Sequence, residues 1–224
     1  MTEKVKSGLR ERTRQAVRGQ IAEAARALCV ERGYEAVTIA DIADAVGMSQ
    51  RSVFRYFPAK EELLLGKLDH LADEMLEELR TRPADEPVWQ SLRVIFELLV
   101  LRIDGLDKDS VAAPMQRVIF TAPNLLGRYL EKQIRLQDAV ATALIERSAA
   151  AGTTHPAQGP TLRALTGAAF GCLNAAQQTW LESGANDTLA AALDKAMSAV
   201  TPHTDVSPNP LEQPATACPA PRTP

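Results

Sequence analysis

Gln50, Arg51, Ser52, Arg55, Tyr56 and Lys60 crowd one short stretch of the chain, and their side chains share a chemistry. Glutamine pairs a donor with an acceptor in a way that fits an adenine edge, and arginine offers a fork that fits guanine. Each such pair discriminates between bases by ~1–3 kcal/mol. Arginine, tyrosine and lysine also donate to phosphate oxygens, which fixes position without reading sequence. The set therefore suits a polyanion with readable edges, with Gln50, Arg51 and Ser52 to specify and Arg55, Tyr56 and Lys60 to position. Thr38, upstream, adds a hydroxyl and a helix N-terminus to offer a phosphate. A plain surface arginine and a core tyrosine are the alternatives for Arg55 and Tyr56, and spacing alone leaves both open.

These side chains act together only if one element presents them. Ile39, Ile42, Ala43 and Val46 give an apolar face at helical spacing, which Gly47-Met48-Ser49 breaks. Val53, Phe54 and Phe57 mark a second helix, so residues 38–57 read as a helix-turn-helix. Ser49 as N-cap places Gln50, Arg51 and Ser52 on the first turn, where reading helices meet bases. Thr38 as N-cap with Asp41 three residues on suits a capping box. Residues 14–32 carry a stripe of Val17, Ile21, Ala24, Ala25, Leu28 and Cys29, and Gly33 stands where a left-handed cap is wanted. One small core of Ile21, Ala25, Leu28, Ile39, Ile42, Val46, Val53 and Phe57 is expected for the three helices.

The run ERGYEAVTIADIADAVGMSQRSVFRYFPAKEELL resembles the DNA-binding domain of TetR-family regulators, from about Arg14 to Leu65. Gly33-Tyr34, Thr38, Gly47, Phe54-x-Tyr56-Phe57 and Lys60-Glu61-Glu62-Leu63 carry the likeness as a set. Ala59 departs from it where a capping Ser is common, which weakens that cap by ~1 kcal/mol. The resemblance implies an all-α homodimer whose last two long helices form a four-helix interface. It also implies a small-molecule pocket in the larger domain and DNA release when that pocket fills. TAPNLLGRYLEKQIRLQDAVATAL, with RSVFRYFPAKEELL, is similar to the subgroup with an acyl-CoA-like ligand-binding C-terminal domain.

Composition supports this division. Residues 1–60 carry a net +4 and the remainder −7, within a total of −3, so the first part alone suits a polyanion. Residues 1–13, with Lys4, Lys6, Arg10 and Arg12, read as a basic arm. Residues 14–65 read as the DNA-binding domain, 66–200 as a helical ligand-binding and dimerisation domain, and 201–224 as a disordered Pro-rich tail. The long helix expected from Ala59 to Arg80 would join the two domains, and Pro114 would limit or kink a helix ending at Thr121. Arg102, Gln116, Arg117, Asn174 and Gln177 interrupt apolar helical stretches and are the candidate effector contacts. Ala164, Gly167, Ala168, Gly171, Ala175 and Ala176 form a small-residue face suited to a subunit interface.

No HExxH, CxxC pair, GxSxG or phosphate-cradling glycine loop occurs, and His70, His155 and His203 are scattered. An enzyme, a metal site and a bound cofactor are therefore not expected. Cys29, Cys172 and Cys218 lack paired spacing, which suits a reducing cytoplasm. Neither a signal peptide nor a membrane span is expected. The leading expectation is a repressor freed from a palindromic duplex operator by a small hydrophobic effector. An activator, a ligand-independent DNA-binding factor and a helical small-molecule carrier remain alternatives.

Overall fold

Strong helix formers and well-placed stop signals give an all-α chain, without a strand among the described residues. The computed structural model describes residues 2–104, 112–152, 158–184 and 187–201. His155, His203, Cys218 and the Pro-rich segment from residue 202 lie outside them. Helix α1 (Thr2–Arg32) starts well before Arg14, so the stretch read as a basic arm is helical in its backbone. Lys, Glu, Arg and Leu favour helix, and extending a helix costs far less than nucleating one. Gly33 ends it at φ 85°, its N–H donating to the Cys29 carbonyl at 2.9 Å. A residue without Cβ takes that left-handed conformation freely.

Helices α2 (Ile39–Ala45) and α3 (Gln50–Tyr56) follow, separated by a turn through Gly47. The capping box forms as expected: the Asp41 N–H donates to Thr38 Oγ1 at 3.2 Å, and the Thr38 N–H to Asp41 Oδ2 at 2.7 Å. Ser49 caps α3 by accepting from the Ser52 N–H at 3.2 Å. The single helix expected over residues 59–80 is two, α4 (Lys60–Leu65) and α5 (Lys67–Thr81), meeting at Gly66. A Cβ at Gly66 would stand 2.7 Å from the Glu62 carbonyl oxygen. The interrupted turn is thus closer than a residue with a side chain allows.

Five more helices complete the described chain: α6 (Val88–Asp104), α7 (Ala112–Thr121), α8 (Pro123–Ala150), α9 (Gln158–Glu182) and α10 (Leu189–Val200). Pro114 and Pro123 both occupy first turns, where a missing N–H breaks no intrahelical bond. Pro114 is the third residue of α7 as described, at the end where a proline limits a helix.

Two apolar cores form. The first buries Ile21, Ala25, Ile42, Val53 and Phe57, with Leu28, Ile39 and Val46 only partly covered. It is larger than the three-helix core expected, because Leu63 and Leu65 of α4, Met115 and Ile119 of α7, and Leu125 and Tyr129 of α8 complete it. Each large side chain fully buried contributes about 1.5–3 kcal/mol, and a short three-helix unit has few to contribute. The second core joins α5, α6, α8, α9 and α10, with Phe96 and Phe170 edge to face at 5.0 Å. Helix α8 serves both. Cys29 and Cys172 are buried free thiols whose pKa burial raises.

Candidate nucleic-acid interface and internal cavity

Helix α3 has two faces. Val53 enters the first core together with the capping Phe57, while Gln50, Arg51, Phe54 and Arg55 are exposed. Those four positions are neighbours on one side of a helix with 3.6 residues per turn. Phe54, counted among the apolar positions of its helix, is 48% exposed and shares this face with Gln50 and Arg51. Arg18 of α1 pins the other end, donating from Nη1 to the Tyr56 carbonyl at 2.5 Å and covering the Phe57 ring at 4.3 Å. A cation there answers the negative C-terminus of α3 and fixes the helix on α1. Arg18 was missed in the sequence because its partner lies far along the chain.

Other expected contacts are engaged within the fold. The Thr38 hydroxyl donates to Asp41 Oδ2 at 2.5 Å, and that bond holds the Asp41 carboxyl below its usual range. The hydroxyls of Ser49 and Ser52 lie 2.9 Å apart. Lys60 donates to the Tyr34 carbonyl and stands 3.9 Å above the Tyr34 ring. The Tyr34 hydroxyl in turn donates to Glu61 Oε1 at 2.6 Å. Burial first, and then this carboxylate, raises the Tyr34 phenol. Arg55 lies 5.6 Å from the ring of Tyr56, which is half-buried. Thr38, Ser49, Ser52 and Lys60 thus shape the frame, and Gln50, Arg51 and Arg55 extend from it.

A cavity of about 60 Å³ lies between α5, α6, α8 and α9. Leu71, Met75, Leu99, Leu136, Phe170 and Leu173 supply an apolar wall, and Asp69, Tyr129, Lys132 and Gln133 the polar one. Lys132 Nζ meets Asp69 at 2.7 and 2.8 Å and stands 3.8 Å from Glu62 of α4. Its side chain is 13% exposed and that of Asp69 59%, so this ion pair marks the mouth. Deeper in, the Tyr129 hydroxyl donates to Gln177 Oε1 at 3.0 Å, and Gln133 Nε2 donates to Asn174 Oδ1 at 2.8 Å. Burial raises the Tyr129 phenol, with Gln177 and Gln116 beside its hydroxyl acting the other way.

The fold thus sets Gln116 and Gln177 beside Tyr129 and Asn174 beside Gln133, behind two residues of the cavity wall rather than in the wall itself, and leaves Arg102 and Arg117 elsewhere. Arg102 pairs with Glu74 on an exposed flank, and Arg117 is exposed on α7. Tyr129 and Lys132 escaped notice because an amphipathic helix carries such residues on its boundary without any local signal. Among the described residues no group of His, Cys, Asp or Glu could hold a metal ion. No described helix is long and apolar enough to cross a membrane.

A helix exposing Gln50, Arg51 and Arg55 on a first core, shared with a larger helical body that encloses an apolar cavity, defines a helix-turn-helix protein with an appended all-α domain. Residues 21–66 match bacterial regulatory proteins of the tetR family, and residues 86–205, more than half of the chain, match the MftR C-terminal domain. The chain belongs to the TetR family. It is 30% identical over 145 residues to the HTH-type transcriptional regulator TcmR of Streptomyces glaucescens, covering 62% of this chain and 64% of that one. It thus spans just under two thirds of that relative. Its fold is similar to that of Thermus thermophilus FadR, a TetR-family transcriptional repressor solved in complex with lauroyl-CoA (TM-score 0.54, 22% identity, 92% of this chain and 100% of that one). Bacillus subtilis FadR, solved in complex with stearoyl-CoA, is also similar (TM-score 0.58, 18% identity, 80% of this chain and 95% of that one). At these identities the likeness is one of fold.

Proposed function

We propose that the chain is a ligand-responsive transcriptional repressor acting as a cytoplasmic homodimer. Its two α3 helices would enter successive major grooves of a palindromic duplex, ~34–36 Å apart. The exposed Gln50, Arg51 and Arg55, held at a fixed angle by Arg18, carry this reading. Residues 14–65 serve as the DNA-binding unit and 66–200 as the ligand-binding and dimerisation unit. Because α7 and α8 complete the first core, the two units meet at a packed joint rather than a free linker.

The effector is a small apolar molecule, acyl-CoA-like, taken up between α5, α6, α8 and α9; the acyl-CoA complexes of the two FadR proteins support this class. A cavity of about 60 Å³ is far smaller than that molecule, since ligand pockets run to ~300–1,000 Å³. Binding must therefore part the helices, and α5 is continuous with α4 but for Gly66. Ligand favours release only by its preference for the parted, DNA-incompetent arrangement.

Duplexes selected from a random pool, followed by gel shifts across a salt series, test the reading. Affinity should fall linearly in log salt. The effector, once found in a metabolite panel by thermal shift, should release the duplex. Absence of duplex binding at low salt would overturn the proposal and favour a small-molecule carrier.

A further inference from the structure

Among the described residues, Gln116 Nε2 and Gln177 Nε2 are buried nitrogens without a hydrogen-bond partner. Both amides lie beside one hydroxyl, that of Tyr129. Gln177 is fully buried and Gln116 is 7% exposed. The tyrosine gives its only proton to Gln177 Oε1, and its single oxygen cannot receive the four N–H of two carboxamides. Buried donors without acceptors are costly, and a native fold that keeps two together calls for a reason. Tyr129 lines the apolar cavity, so the cluster adjoins it through that side chain, with both amides behind the wall. The unused capacity there is N–H donation. At the mouth, Lys132 adds a well-covered cation, whereas the exposed Asp69 can turn to water.

We infer that Gln116, Gln177 and Tyr129 form the head-group subsite of this cavity and receive an acceptor-only group, a carboxylate or ester carbonyl on an apolar chain. Gln116 also relays occupancy to the DNA-binding half. The inference rests on the ligand-responsive reading above. An ammonium head would bring donors to donors, whereas a carbonyl oxygen accepts from both amides. The relay follows from the place of α7. Met115 and Ile119 lie in the same core as Ile21 and Ala25 of α1, and Gln116 adjoins Met115 in the chain. A head group that draws Gln116 inward moves the helix on which the reading domain rests.

The test uses the full chain with decanoate, methyl decanoate and decylamine as probes, read by thermal shift, calorimetric titration and release of a selected duplex. Decanoate and methyl decanoate should bind and decylamine should not. Gln116→Leu, and Gln177→Leu combined with Tyr129→Phe, should each weaken binding by roughly tenfold. Neither should lower the melting temperature of the unliganded protein, because each removes an orphaned donor. At saturating decanoate the Gln177→Leu/Tyr129→Phe protein should still release duplex, and Gln116→Leu should not. Gln116→Glu puts an acceptor where a donor stood at almost the same volume, and should reverse the order in favour of decylamine. Equal binding of all three probes, full affinity in Gln116→Leu, or a Gln116→Glu protein that still prefers decanoate would overturn the assignment. Failure of every probe would overturn it as well. In that case duplex binding by the unliganded protein still upholds the regulator reading, and loss of both defeats the two together.

Discussion

Phe54 exposes a large ring on the face that also carries Gln50 and Arg51. In water that ring gains nothing, but in a major groove it can meet the C5 methyl of thymine, which aromatic and small apolar side chains recognise. Phe54→Ala should weaken specific binding by about 1–3 kcal/mol. Replacing thymine by uracil in the selected duplex should remove the same increment from the wild type and nothing from the variant. Gel shifts in which the uracil duplex separates the two proteins as widely as the thymine duplex would refute this role. Arg51→Ala should cost a similar amount and relax sequence preference at one base pair, whereas Arg55→Ala should weaken all duplexes alike and flatten the salt slope by about one. Much of this face was legible in the sequence: residue type named the chemistry, and the Ser49 cap set the register. Lys60 was less legible, because the partner that engages it, the Tyr34 carbonyl, is a matter of geometry.

Helix ends were readable wherever a cap is local, as at Thr38, Ser49 and Gly33. The joint at Gly66 was not, since apolar periodicity runs through it unbroken from Leu63 to Leu79. The 2.7 Å approach to the Glu62 carbonyl means that Gly66→Ala must shift backbone. It should cost about 1–3 kcal/mol of stability and change duplex affinity without touching α3, as denaturation curves and gel shifts would report; unchanged affinity would show that the α4–α5 angle is not coupled to reading. The turn between α5 and α6 depends instead on charge. Arg82 donates from Nε to Glu86 Oε2 at 2.9 Å, and the Ser91 hydroxyl donates to the same oxygen at 2.7 Å. The Arg82 hydrogen bonds chiefly hold the Glu86 carboxyl at about 2, below its ordinary 4.5. A depressed carboxylate stabilises the fold in full above its unfolded pKa and loses that contribution as pH falls through the folded value. Stability should therefore decline between pH 4.5 and about 2. Glu86→Gln should cost about 1.5–3 kcal/mol at pH 7 and blunt this acid limb. Urea melts at pH 7 and pH 3 that shift in parallel for both proteins would contradict it.

The whole molecule must offer a twofold face if two α3 helices are to reach one duplex. Residue spacing picked out the small residues of α9. The fold shows which of them stay outside: Ala164, Gly171 and Ala175 are exposed, Gly167 and Ala168 are half-buried, and Ala176 is buried in the second core. That sorting depends on how α9 packs on α10 and α6, which no local pattern states. The same limit hid the sharing of the first core by α7 and α8, contacts between segments far apart in the chain. On α8, Ile134 is 66% exposed, an apolar side chain that water does not favour and a subunit partner would. Gly171 gives the sharpest test, because a Cβ built there meets no atom within 4 Å in its own protomer. Gly171→Glu therefore adds a charge that one chain tolerates, in a helix where glycine is a poor former, but that a close-packed partner does not. Sedimentation should show a folded monomer, with helical circular dichroism unchanged. Duplex affinity should fall by far more than one lost contact explains, because half-sites one helical turn apart reward only a joined pair of readers. A Gly171→Glu protein that still sediments as the wild type does would move the interface off this face of α9.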